Sequence, residues 1–146
     1  MPHFRRPIGH ARKTAASPQE TSTDAHYAAV CAVLWSEREL LESLACNVIV
    51  EQLVSHAGSP RRSQEDMHDE AIERLGQQEV LRAAIVDALQ TAVAAPPTAT
   101  LRDLADGAPE PWQTMLREHR ESLAELSRDV HTLVGLGQLS LYEFLS

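Results

Sequence analysis

The chain has 146 residues, of which 43% are apolar, and its formal net charge is −8 at pH 7. This apolar content can close one modest core, so a single folded domain is expected. An acidic body repels phosphate backbones, which argues against nucleic-acid binding. No apolar run approaches the roughly 20 residues of a membrane span and no signal-peptide stretch opens the chain. A cytoplasmic protein without stable membrane insertion is therefore expected.

The first 23 residues are predicted to form a disordered basic tail, followed by one helical domain over residues 24–146. The tail mixes Pro, Gly, Ser and Thr without periodicity, so it cannot bury enough apolar surface to offset the entropy of ordering. Its cations are Arg5, Arg6, Arg12 and Lys13. The rest of the chain is therefore more acidic than the total charge indicates.

A long amphipathic helix is predicted to begin near Asp24, which can cap a following N–H, and to end at Gly58. Apolar residues recur at helical spacing along it, and Glu37 and Arg38 are assigned to its polar face. The repeating apolar positions include Tyr27, Leu34, Leu41 and Val48.

A second long helix is predicted to begin at Ser59 and Pro60, because proline suits the first turn of a helix. It runs to about Ala94, where Pro96 and Pro97 follow. Two long helices joined by a short turn indicate an antiparallel hairpin.

A short helix and a third long helix complete the predicted fold. Thr100 and Asp103 have the spacing of a capping box, and the short helix ends at Gly107. Pro109 and Pro111 precede the third long helix, which carries a seam at coiled-coil spacing. The seam consists of Leu116, His119, Leu123, Leu126, Val130 and Leu133. The expected fold is all-α, a three-helix or coiled-coil-like bundle.

The last residues of the chain are predicted to leave apolar surface without a partner in the same chain. Gly135 and Gly137 weaken the helical pattern there, and the apolar residues that follow face several ways. We expect this surplus surface to bind another protein. The predicted partner-binding residues are Leu116, Leu123, Leu126, Val130, Leu133, Leu136, Leu139, Leu141 and Phe144.

A search for chemistry assigns no catalytic, cofactor-binding or metal-binding residues, and an enzyme is not expected. Glu65 and His68 match the Glu-x-x-His element of di-iron bundles, but that site needs a second copy on another helix. The sequence contains no second copy, no Gly-rich phosphate loop and no Cys-x-x-Cys. His119 is interpreted as a core or interface histidine that is hydrogen-bonded to a neighbour.

Several segments together resemble actinobacterial members of the FlgN-like flagellar export chaperone family. The resemblance spans residues 28 to 134, and its most specific part is the Ala-Pro-Glu-Pro-Trp sequence ending at Trp112, with His119 and Arg120 in the helix that follows. The other matching segments are Leu34–Leu44 (LWSERELLESL), Glu51–Leu53 (EQL), Glu79–Asp87 (EVLRAAIVD) and Leu101–Ala105 (LRDLA).

The resemblance implies a helical hairpin with a C-terminal helix that holds hook-associated proteins of the FlgK and FlgL kind. Such a chaperone keeps these hook-filament junction proteins export-competent until the flagellar type III export apparatus takes them. The alternative is a self-associating helical adaptor or coiled-coil module, in which the same apolar stripes join two copies into a homodimer without an export client.

Overall fold

The structure is a computed structural model that describes residues 17–55, 62–134 and 139–146, with side chains for residues 17–54, 69–133 and 140–146. These residues form helices α1 (Pro18–Ser55), α2 (Arg62–Ala92), α3 (Leu101–Asp106), α4 (Trp112–Val134) and α5 (Leu139–Leu145). The described ranges contain no strand, so the predicted all-α fold is confirmed.

Helix α1 begins at Pro18, six residues before the predicted start near Asp24. The signal is a capping box: the Ser17 N–H donates to Glu20 Oε2 at 2.9 Å, and the Glu20 N–H donates to Ser17 Oγ at 3.4 Å. Pro18 occupies the first helical position, where its missing N–H is no loss. Residues 18–23 therefore belong to the helix rather than to the predicted tail; residues 1–16 lie outside the described part of the chain.

Helix α1 packs against both α2 and α4. Helices α1 and α2 are antiparallel, because residues 36 and 40 of α1 line one groove with residues 74–81 of α2, while residues 40–47 line a second groove with the earlier residues 70–74. The predicted hairpin is thus present. Its predicted turn, with the end of one helix at Gly58 and the start of the next at Ser59 and Pro60, lies outside the described residues.

Helix α2 ends in a Schellman-type turn, in which the Ala95 N–H donates to the Gln90 carbonyl at 2.8 Å. Ala94 takes the left-handed position of this turn, with φ 53°. The capping box predicted for α3 is confirmed, because Thr100 and Asp103 bond reciprocally and the helix is followed by Gly107. These caps satisfy backbone groups that the helix ends would otherwise leave unpaired.

Helix α4 starts at Trp112, directly after the predicted Pro-rich opening. Its first residue is fixed to α1: the Trp112 indole stacks on Tyr27 at 6.0 Å between ring centroids, and Trp112 Nε1 donates to Asp24 Oδ1 at 2.8 Å. Helix α5 then packs against α3 and α4. The fully buried core leucines come from α1 to α5 and include Leu34, Leu41, Leu89, Leu101, Leu116, Leu123 and Leu141.

Candidate functional site

The residues predicted to bind a partner lie mostly inside the chain's own core. Leu116, Leu123 and Val130 of α4 are buried, and so is Leu141 of α5. Leu126, Leu133 and Phe144 are half-buried. The side chains of Leu136 and Leu139 lie outside the described set.

The expectation that the C-terminal apolar residues remain uncovered is therefore wrong for the described part of that segment. Leu141 and Leu145 belong to the same buried cluster as the α4 leucines. The physical reason is that α4 packs against α1 and α3, and that α5 packs in turn against α3 and α4.

Three polar contacts hold α5 in place. Arg120 Nε of α4 donates to the Leu145 carbonyl at 2.6 Å, which satisfies a backbone acceptor in the last turn of α5. The Tyr142 hydroxyl donates to the Ser127 carbonyl at 3.1 Å. From the α2 side, an Arg82 guanidinium N–H donates to Ser140 Oγ at 3.2 Å.

Arg82 also forms a buried ion pair with Glu37, and both side chains are almost fully excluded from solvent. The sequence placed Glu37 on a polar face of α1, so this placement is wrong. The missed signal was Arg82, a single cation among the apolar positions of α2. Because burial removes Glu37 from water, its pKa is raised, although the Arg82 guanidinium offsets part of this effect.

The guanidinium of Arg82 also lies over the ring of Phe144, 5.5 Å from its centroid. Arg82 therefore joins a carboxylate on α1 to a hydroxyl and a ring on α5. A buried pair of this kind adds little net stability over apolar residues, but removing one partner leaves an uncompensated charge. The pair thus fixes where α5 can dock.

A second polar cluster joins α1 to α4 around His119. The Nδ1 atom of His119 lies 3.4 Å from an Arg38 guanidinium nitrogen, and its ring meets Trp35 edge-on at 6.3 Å. Arg38 in turn stacks over the Trp35 ring at 4.9 Å from the centroid. Burial, and then the Arg38 charge, lower the pKa of His119. The interpretation of His119 as a hydrogen-bonded histidine in a helix interface is confirmed.

Large apolar side chains are exposed together near the end of α1. Four of them, at positions 49, 50, 53 and 54 of the helix, form one cluster because their spacing places them on adjoining turns. Val50 is 56% exposed and Leu53 is 71% exposed. We call this the hairpin-end patch; it consists of Ile49, Val50, Leu53 and Val54. Apolar spacing alone does not reveal this patch, because apolar residues at similar spacing face the core elsewhere in α1.

The described surface supports the binding of a small molecule less well than the binding of a protein. A shallow groove of about 200 Å³ lies between α1 and α2, lined in part by Leu40, Leu44 and Ala71. Among the described side chains, no three His, Cys, Asp or Glu residues come together as a metal site would require. The Glu65 and His68 side chains are not among those described.

No helix in the described ranges is both long and apolar enough to cross a membrane. Comparisons of the chain with protein-family models, with curated proteins and with solved structures found no match.

Proposed function

We propose that this chain is a FlgN-like export chaperone that binds hook-associated proteins and keeps them competent for flagellar type III export. The observation that carries the proposal is the hairpin-end patch, where four large apolar residues are exposed on one helical surface. Contiguous exposed apolar groups of this kind mark protein-binding surfaces, because leaving them in water is unfavourable. The resemblance supplies the class of partner.

The proposed mechanism is the covering of an apolar helix of the client by the apolar patch of the chaperone. An amphipathic helix can lay its apolar face on such a surface, with anchors at helical spacing. Binding of this type takes most of its free energy from a few buried side chains. A small patch of this kind therefore suits a partner that must later be released to the export apparatus.

The test is size-exclusion chromatography with light scattering on the protein alone and mixed with a hook-filament junction protein. The test variant is Val50→Ser/Leu53→Ser. The chain offers a matched control, Val80→Ser/Leu81→Ser, because this pair on α2 has the same residue types and is also exposed, at 72% and 49%. We expect a stoichiometric complex for the natural protein and the control, and at least tenfold weaker binding for the test variant.

Two outcomes contradict the proposal. A complex that survives the Val50→Ser/Leu53→Ser change would exclude the hairpin-end patch as the binding surface. A stable homodimer that ignores the junction protein and becomes monomeric in the same variant would favour the self-associating module.

A further inference from the structure

Helix α5 has seven residues and is held by the helices around it. Isolated helices shorter than about 12 residues are marginal in water, so α5 is helical because it is docked. Its groove is formed by α3 and α4, and α2 adds Arg82. Arg120 contributes from α4, while Glu37 of α1 pairs with Arg82.

The groove recognises a helix by a combination of apolar and polar contacts. Leu141 and Leu145 enter the core, while Phe144 lies against the Arg82 guanidinium. The Ser140 hydroxyl accepts from Arg82, and the Tyr142 hydroxyl donates to a carbonyl of α4. These contacts define an occupant with apolar residues at i, i+3 and i+4 and a small polar residue before them.

Two buried polar atoms belong to residues beside the α5 contacts and lack a hydrogen-bond partner among the described residues. Glu37 Oε2 and Ser127 Oγ are both buried, and neither has a hydrogen-bond partner among the described residues. Both belong to residues next to the α5 contacts, because Glu37 pairs with Arg82 and the Ser127 carbonyl accepts from Tyr142. Buried acceptors of this kind favour an occupant that supplies a donor to them.

We propose that α5 is an exchangeable occupant of this groove, and that the groove accepts in its place a partner's short amphipathic helix. The partner helix has the apolar spacing of Leu141, Phe144 and Leu145, preceded by a hydroxyl or carboxamide side chain. The incoming helix takes the place of α5 against α3 and α4. The inference depends on the proposed function only for the identity of the partner.

Exchange has a quantitative consequence for binding. If the groove is open for only a fraction of the time, its apparent dissociation constant for the partner equals the intrinsic constant divided by that fraction. A change that weakens α5 docking therefore strengthens binding from outside. This direction distinguishes an exchangeable helix from a permanent part of the core, where the same change only destabilises the protein.

The experiment uses the full chain and a fluorescein-labelled peptide with the sequence of residues 139–146, LSLYEFLS. The variant Phe144→Ala weakens α5 docking and leaves the two core leucines of α5 in place. A second variant, Ser140→Ala, removes the hydroxyl that contacts Arg82. The control is Glu143→Ala, which changes an exposed position of the same helix.

We expect Phe144→Ala to bind the peptide roughly tenfold more tightly than the natural chain, Ser140→Ala to shift binding in the same direction, and Glu143→Ala to match the natural chain. In hydrogen exchange of the natural chain, the amides of α5 should exchange through a local opening, faster than those of residues 30–44 in α1.

The proposal is overturned if neither variant binds the peptide more tightly than the natural chain. It is also overturned if the α5 amides exchange only with global unfolding. Both measurements are made without a hook-associated protein. Failure of the chaperone proposal therefore appears as the absence of a complex with the junction protein, or as a complex that survives the Val50→Ser/Leu53→Ser change, while the peptide result stands separately.

Discussion

The middle of helix α1 and its C-terminal end both carry large apolar residues but have opposite environments. In the middle of the helix, Val30, Leu34 and Leu41 are completely buried. Near its end, Leu53 is 71% exposed and its apolar neighbours are exposed with it. The difference shows that burial on an amphipathic helix depends on which other elements cover it, here α4 and the body of α2. Apolar residues beyond that cover stay exposed.

The largest expected effect concerns the covered part of α1, where Glu37 forms its buried ion pair with Arg82. Arg82→Ala should destabilise the protein by about 3–5 kcal/mol, because it leaves the Glu37 carboxylate buried without its partner. The double change Glu37→Leu/Arg82→Met should recover most of this loss, since it removes both charges. Urea unfolding of the three proteins measures the effect. A single Arg82 variant as stable as the natural protein would show that the pair is not buried in solution.

Leu41 in the covered part of α1 and Leu53 in its exposed part allow a direct comparison of the two regions. Leu41→Ala should cost about 2–5 kcal/mol, because it opens a cavity in the core. Leu53→Ala on the same helix should change stability by no more than about 0.5 kcal/mol, because its side chain already faces water. Equilibrium unfolding in urea decides the comparison. Equal losses for the two variants would mean that the hairpin-end patch is covered.

A smaller effect is expected at the cap of α3. Thr100→Ala removes the side-chain oxygen that accepts the Asp103 N–H, which should cost about 1 kcal/mol. Hydrogen bonds from Thr100 also lower the pKa of Asp103. Thermal unfolding with the exposed Thr98→Ala as a control measures the loss. A Thr100→Ala protein with an unchanged Tm would contradict the role of the cap.

The smallest expected effect is a pH dependence from His119. The pKa of His119 in the folded chain is lowered below the usual 6.5. At a pH between the folded-state pKa and 6.5, the unfolded chain therefore binds a proton more readily than the folded chain. Stability should therefore fall as the pH drops through 6.5 towards the folded-state pKa. His119→Gln should remove this component. Urea unfolding at about pH 8 and about pH 5.5 makes the comparison, and an identical pH response in both proteins would contradict it.

The helices of this protein are predictable from sequence where local signals specify them. Thr100 with Asp103, and Pro109 with Pro111, correctly mark helix ends, because caps and proline act through neighbouring backbone atoms. The start of α1 was also marked locally, by Ser17 and Glu20, but the basic composition around it favoured a tail.

The tertiary contacts were less predictable, because they depend on residues distant in sequence. Nothing local indicates that Glu37 pairs with Arg82, or that α5 returns to pack against α3 and α4. The same limit explains why the C-terminal apolar residues were expected to be uncovered. Leu141 and Leu53 are both apolar, but the sequence does not determine which of them another helix covers.

The most direct test of the central claim is hydrogen exchange of the natural chain, free and in complex with a hook-filament junction protein. We expect the amides of residues 47–55 in α1 to gain protection on binding, because the client covers the hairpin-end patch. Unchanged exchange in this segment, with protection gained elsewhere in the described chain, would contradict the claim that the uncovered end of the hairpin is the binding surface.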